Sequence, residues 1–231
     1  YMRQDAIQTL YDTLVENNLD IVAANTYRLV GDKATPYGDS GKLTIIERPN
    51  IMPLVFDEYG TAQWNRLFKK DIFDGIRYPE GRKYEDSAVS PLTYSRAQRV
   101  ADIDIPLYYY RKNENSITQK GFNAKARWDC VLSYQDRLAF AEKFYPDCVP
   151  VCVSLLLKVT LSCLTAVYAQ PKGNEEYYDK CKAIIEIYRN HPGAYERLNG
   201  KYKTYLKNFG KHEWMHKLGA KASLWAKKIK S

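Results

Sequence analysis

The sequence predicts an α/β domain over residues 1–120 followed by an all-α extension over residues 121–231. Three observations carry this reading. Near the start, an amphipathic helical pattern feeds a short, wholly apolar strand through two polar residues, as in the second half of a βαβ unit. A long β-rich run, RVADIDIPLYYYR at 99–111, closes the first part. Past the polar stretch at 113–121, apolar residues recur only at helical spacing.

Taken in order, Ile7, Leu10, Tyr11, Leu14 and Val15 recur three and four apart and predict a helix over residues 5–18, which Asn17-Asn18 stops. Residues 19–25 (LDIVAAN) predict a strand apolar on both faces, as in a sheet covered by helices. Gly31, Pro36, Gly38 and Gly41 make residues 26–42 a loop or ragged hairpin. Residues 50–59 and 61–70 predict short helices separated by Gly60, residues 75–83 a polar loop, and residues 85–96 a helix despite Pro91. Pro106 breaks the 99–111 run into two strands or bends a single one. Helices are expected over 124–145, 148–169 and 175–190, with Pro146 and His191-Pro192-Gly193 as stops. The 22 residues of 148–169 are long enough to span a bilayer, but Lys158 at the centre and Ser154, Thr160, Ser162 and Thr165 favour a helix buried in protein.

Composition bounds the function. With 45% hydrophobic and 27% charged residues, the chain belongs with folded globular proteins and not with disordered ones. Twenty Tyr residues suit half-buried surfaces and grooves that hold hydroxyl-rich ligands. Five cysteines, an odd number without a CxxC pair, read as reduced and buried thiols of a cytosolic protein. The opening YMRQDAIQTL is charged and does not read as a secretory signal. The net charge of +8 sits in residues 196–231, which carry ten Lys/Arg and two Asp/Glu; the rest is balanced. Nucleic-acid binding by the whole domain is therefore not expected.

Two stretches carry candidate chemistry: GTAQWNRLFKKDIF at 60–73 and YPEGRKYED at 78–86. The second sets Glu85 and Asp86 where a loop enters a helix. A helix N-terminus favours ionised carboxylates, and an ionised Asp facing a cleft can take the proton of an attacking hydroxyl. Glu-Asp alone is also an ordinary helix cap.

The order WNRLFKKDIF, YPEGRKYEDSAV, DIDIPLYYYRKNENSIT resembles the acceptor-side half of bacterial family 2 glycosyltransferases, GT-A enzymes that build capsule, lipopolysaccharide and exopolysaccharide. The opening MRQDAIQTLYDTLVENNLDIVAAN is similar to the family's segment after its metal-binding Asp-x-Asp. The resemblance covers residues 1–120 and implies an incomplete GT-A, Rossmann-like domain missing its N-terminal nucleotide-binding strands. It implies inverting transfer of a sugar from a nucleotide-diphosphate donor to a glycan or lipid-linked acceptor, with Mg²⁺ or Mn²⁺ in the intact enzyme. Asp86 would be the general base and Glu85 its support, while Trp64 and Asn65 would border the acceptor, Trp64 from a helix. Arg111, Lys112 and Ser116 would form a flap over the diphosphate. Asp102-Ile103-Asp104 lies after the base, in a late strand, and is a poor substitute for the family's metal motif. The chain is expected to be a fragment that lacks the donor and metal-binding half, inactive alone and with no metal site of its own.

Two further features stand apart. His212-Glu213-Trp214-Met215-His216 spells the zinc-peptidase motif H-E-x-x-H, but no His, Asp or Glu follows His216 to complete the ligand set. Leu198, Tyr202, Tyr205, Leu206 and Phe209, then Trp214, Leu218, Ala222, Trp225 and Ile229, lie at helical spacing among nine lysines. Such a basic amphipathic tail suits either packing on the preceding helices or an anionic membrane surface. The latter places the protein in the cytoplasm, peripheral to the inner face of the cytoplasmic membrane. A non-catalytic helical interaction module is the reading from a different class, and a zinc metallopeptidase ranks behind both.

Overall fold

The computed structural model describes residues 1–111, 123–211, 214 and 216–222. They form two compact units. The first comprises residues 1–78 and the chain from Val89 to the end of the last strand; the second comprises residues 79–88 and the described chain from Asn123 onward. The sequence reading had set the boundary near residue 120, with the loop before Glu85 on the sheet side. That loop instead groups with the helices.

In the first unit, α1 (Ala6–Glu16) leads into β1 (Ile21–Val30), followed by β2 (Lys33–Pro36), β3 (Leu43–Glu47), α2 (Ile51–Phe56), β4 (Arg66–Phe68) and β5 (Arg99–Arg111); α3 (Glu85–Tyr94) has residues 85–88 in the second unit and the rest in the first. The sheet runs β2-β1-β5-β3, and β4 also pairs with β1. Among the described strands only β1 and β5 pair in parallel; the other pairs are antiparallel. The fold is mixed α/β, in agreement with the α/β class read from the sequence. Alternation sends Val22, Ala24, Ala101 and Ile103 to one face, where Ala6, Leu10 and Leu14 of α1 cover them. The remaining stripe of α1 (Ile7, Tyr11, Val15) is exposed.

Three elements differ from expectation. Residues 61–70 are not a helix: a turn at Trp64-Asn65 leads into β4, because Arg66, Leu67 and Phe68 pair with Ala23, Val22 and Ile21. Ladder hydrogen bonds to a buried strand outweigh local helix preference there. Strand β3 went unread, and β1 runs five residues beyond the expected strand into a hairpin with β2. Around Pro106 the β1–β5 register shifts, so the 99–111 run is one strand with a bulge.

Asp20 ties these elements together. Its Oδ2 accepts from the backbone N–H groups of Gln98 (2.7 Å) and Arg99 (3.0 Å), and its Oδ1 from Lys69 Nζ at 2.9 Å. Burial pushes the carboxyl up, but Lys69 and the two amides more than offset this and hold it below the usual Asp value. A depressed carboxylate adds stability above its unfolded pKa and loses it as pH falls through the folded value. Asp20→Ala is expected to destabilise the protein by about 1.5–3 kcal/mol at neutral pH in urea unfolding. The difference from wild type should shrink as the pH is lowered below the ordinary Asp range.

The second unit contains α4 (Ala124–Phe144), α5 (Val149–Ala169), α6 (Glu175–Tyr188) and α7 (Gly200–Asn208), plus a helical segment over residues 216–222. The stretch Pro146–Ala169 is long and apolar enough to cross a membrane. It packs between α4 and α6, with Leu156, Leu157, Leu161 and Leu164 fully buried. Lys158 lies partly exposed, which removes the need to bury its charge. All five cysteines are buried thiols outside any disulfide. In the basic tail, Leu198, Leu206 and Phe209 are buried within this unit, while Trp214 and Leu218 are exposed. α7 is thus a packed helix. Trp225 and Ile229, and His212, Glu213 and Met215 of the H-E-x-x-H motif, lie outside the described residues. His216 stacks on the Tyr205 ring at 3.6 Å.

Candidate active site

Glu85 and Asp86 open α3, as the loop-to-helix pattern predicts. Asp86 is half-buried, not sealed in the core, and its Oδ1 accepts from the Ser87 N–H at 2.8 Å. Helix-end electrostatics alone would lower its pKa. The structure gives the opposite sign: burial raises it, the Glu85 charge raises it further, and the Ser87 amide offsets only part. A raised carboxylate pKa marks a group with enhanced proton affinity, as suits a base.

What positions this pair is α4. Lys83 N–H donates to Asp129 Oδ2 (3.3 Å), Ser133 Oγ donates to the Tyr84 carbonyl (2.9 Å), and Arg137 Nη1 donates to the Ser87 carbonyl (3.0 Å). Asp129, Ser133 and Arg137 are four residues apart, one buried stripe of α4. Next to it, Asp136 accepts from Arg82 at 2.8 Å. Arg137 is only 1% exposed. Three backbone groups of loop 83–87, one N–H and two carbonyls, thus each gain a hydrogen bond from α4. Between them Tyr84 keeps a left-handed backbone (φ 61°), which costs a non-glycine residue about 1–2 kcal/mol. Sequence reading missed all three α4 residues. The available signal was a run of polar residues, Asp129, Ser133 and Arg137, at four-residue spacing in a helix flanked by apolar positions.

The other expected site residues lie in the first unit. Trp64 sits in the turn before β4, not in a helix, and is 41% exposed. Its ring lies 4.5 Å from that of Tyr108 and 5.2 Å from that of Tyr110, whose ring is nearly parallel to it at 28°. The three side chains form a platform of which sequence reading saw one member. Asn65 has both ends of its amide engaged within the sheet: Nδ2 donates to the Ala24 carbonyl (2.6 Å) and Oδ1 accepts from Arg66 (2.7 Å). Both bonds fix the turn that carries Trp64. Gly60 precedes this turn with φ 73°, and a Cβ there would fall 2.6 Å from the Tyr94 ring, so only glycine fits. Arg111 ends β5 and is exposed; Lys112 and Ser116 lie outside the described residues.

The Asp102 and Asp104 carboxylates are engaged internally. Burial raises Asp102, opposed by the Tyr59 hydroxyl and the Arg66 charge. Asp104 is held low by Ser40, whose Oγ donates at 2.5 Å, with Asn25 as a further donor. Among the described residues no group of three or more His, Cys, Asp or Glu side chains converges to hold a cation.

No family model matches this chain. Glycosyltransferase GlyG of Streptococcus pneumoniae is 25% identical over 197 residues, covering 78% of this chain and 63% of GlyG. The uncharacterized glycosyltransferase EpsJ of Bacillus subtilis is 25% identical over 150 residues, 61% of this chain and 43% of EpsJ. The likeness is to bacterial glycosyltransferases. The glycosyltransferase resemblance drawn from residues 1–120 therefore extends into the helical unit. In fold, the S. aureus TarS 1-349 structure, solved in complex with UDP-GlcNAc, superposes with a TM-score of 0.60 at 12% identity, covering 98% of this chain and 65% of that one. The chain thus spans just under two thirds of the length of the glycosyltransferase GlyG and less than half that of EpsJ.

Proposed function

We propose that this chain supplies the acceptor side of an inverting, GT-A type family 2 glycosyltransferase that moves a sugar from a nucleotide-diphosphate donor to a glycan or lipid-linked acceptor in surface polysaccharide assembly. The observation that carries it is Asp86: a partly exposed carboxylate of raised proton affinity, on a loop held at three backbone groups by α4. In an inverting displacement, the acceptor oxygen attacks the anomeric carbon while the diphosphate leaves. Asp86 takes the hydroxyl proton as that bond forms, and the Ser87 amide steadies the carboxylate. Glu85 raises its basicity through like charge. The UDP-GlcNAc complex of TarS and the names of the relatives support a nucleotide-sugar donor. Arg111, with Lys112 and Ser116, is read as contacting the diphosphate. Trp214 and Leu218, exposed among Lys211, Lys217 and Lys221, support work at an anionic membrane surface, the cytoplasmic inner face.

The test is release of nucleoside diphosphate and transfer of labelled sugar by the full-length protein with a panel of nucleotide sugars and oligosaccharide acceptors. Transfer that inverts the anomeric centre supports the reading; retention or the absence of any transfer overturns it. The Trp64–Tyr108–Tyr110 platform offers the apolar face on which a sugar's CH groups pack. Trp64→Ala is expected to raise the acceptor KM about 3–10-fold with kcat little changed. A kcat loss at constant KM would assign Trp64 elsewhere.

A further inference from the structure

Away from Asp86, within the helical unit, a cavity of about 470 Å³ opens between the end of α6 and α7. Its floor is apolar: Leu206 and Phe209, both buried, with Pro192. Its rim is cationic, with Arg189, Lys207 and Lys211 and the imidazole of His191 against one carboxylate, Glu196. Among the described residues none of these three fixed cations forms an ion pair with a carboxylate. By contrast, Lys180 on α6 is paired with Glu176 at 2.7 Å.

Lys203 donates to the Glu196 carbonyl at 3.1 Å, with its ammonium 5.6 Å from the Tyr195 ring centre. His191 Nδ1 lies 2.8 Å from the Pro192 carbonyl, which fixes the imidazole against the turn. Arg189 follows the C-terminal end of α6 and Lys207 lies in the last turn of α7, places where a helix dipole favours positive charge. The two helix ends, with Lys211 in the turn after α7, bring three cations to one concavity. Like charges brought together around a concave surface repel one another unless an anion joins them.

We propose that this cavity binds a phosphoryl anion, a phosphate or diphosphate group, through Arg189, Lys207 and Lys211. Arg offers a planar fork of donors to phosphate oxygens, and the two lysines act as point charges. The apolar floor accepts the first carbons attached to the phosphate. Two sources share this chemistry: the headgroup of an anionic lipid and a soluble phosphate compound. Exposed Trp214, three residues beyond Lys211, and exposed Leu218 give the first source an apolar anchor.

The experiment titrates the full chain with inorganic pyrophosphate by calorimetry. In parallel it measures co-sedimentation with phosphatidylcholine vesicles with and without phosphatidylglycerol. Lys207→Gln/Lys211→Gln is the pocket variant, and Lys180→Gln/Lys182→Gln removes equal charge from α6 outside the cavity. Both sets are solvent-exposed or partly so, and both leave the core untouched. The pocket variant is expected to weaken binding about tenfold or more, at roughly 1 kcal/mol per lysine, while the control stays near wild type. Loss confined to the phosphatidylglycerol arm identifies the lipid headgroup, and loss confined to pyrophosphate identifies a soluble anion. Equal loss in the control, or no binding of either probe by the wild type, overturns the proposal. The outcome is independent of Asp86 and of sugar transfer.

Discussion

Asp86→Asn is expected to reduce turnover about 10²–10⁴-fold, the usual share of a general base, with the acceptor KM nearly unchanged. The amide keeps the shape of the carboxylate but has no proton affinity to offer an attacking hydroxyl. The same change should leave the fold intact and be neutral or slightly stabilising at neutral pH. The sign follows from the raised pKa: burial and Glu85 disfavour the ionised form in the folded chain, so ionisation opposes folding once the pH exceeds the unfolded Asp value. Wild-type kcat should rise with pH along an acidic limb lying above the ordinary Asp range, because only the ionised group accepts a proton. Glu85→Gln should move that limb to lower pH by removing the like charge. A pH–rate profile measured with the unfolding midpoint checks both. Turnover preserved in Asp86→Asn would remove Asp86 from the chemistry.

Arg137→Met is expected to affect stability and turnover together. Arg137 is fully buried, its guanidinium donates to the Ser87 carbonyl, and it lies 5.4 Å from the Tyr134 ring centre. Met fills similar volume without a donor, so the buried Arg137–Ser87 hydrogen bond is lost at a cost of about 1–3 kcal/mol. Urea unfolding should show a loss of that size. The loop that carries Asp86 would then be held at two backbone groups instead of three. A drop in kcat with little change in KM, and a shifted acidic limb, would mark Arg137 as a positioning residue. Ser133→Ala provides the milder comparison, since it releases the Tyr84 carbonyl while leaving the Ser87 contact in place. Lost stability with an unchanged pH profile and kcat would confine Arg137 to a structural role.

Local patterns in the chain were good guides wherever the deciding interactions lie close in sequence. Leu10 and Leu14 on α1, the Asn17-Asn18 stop and the helical pattern over 124–145 all reflect contacts within a few residues or one buried face. The Glu85-Asp86 helix start was readable for the same reason. Residues 61–70 misled because their fate depends on β1, more than forty residues earlier; their own propensities carry no trace of that partner. Tyr108 and Tyr110 were visible as letters, but that Trp64 stacks on them follows from how the turn before β4 meets β5.

By itself the sequence determined most of the helices, the polarity of the tail and the Glu85-Asp86 pair at a helix entrance, because periodicity and capping are properties of neighbouring residues. Only the tertiary structure decided that α4 grips the loop before Asp86, that burial raises this carboxyl instead of lowering it, and that Asp102 and Asp104 serve the sheet. Desolvation and hydrogen-bond partners are set by which distant atoms surround a group, and no local pattern encodes them.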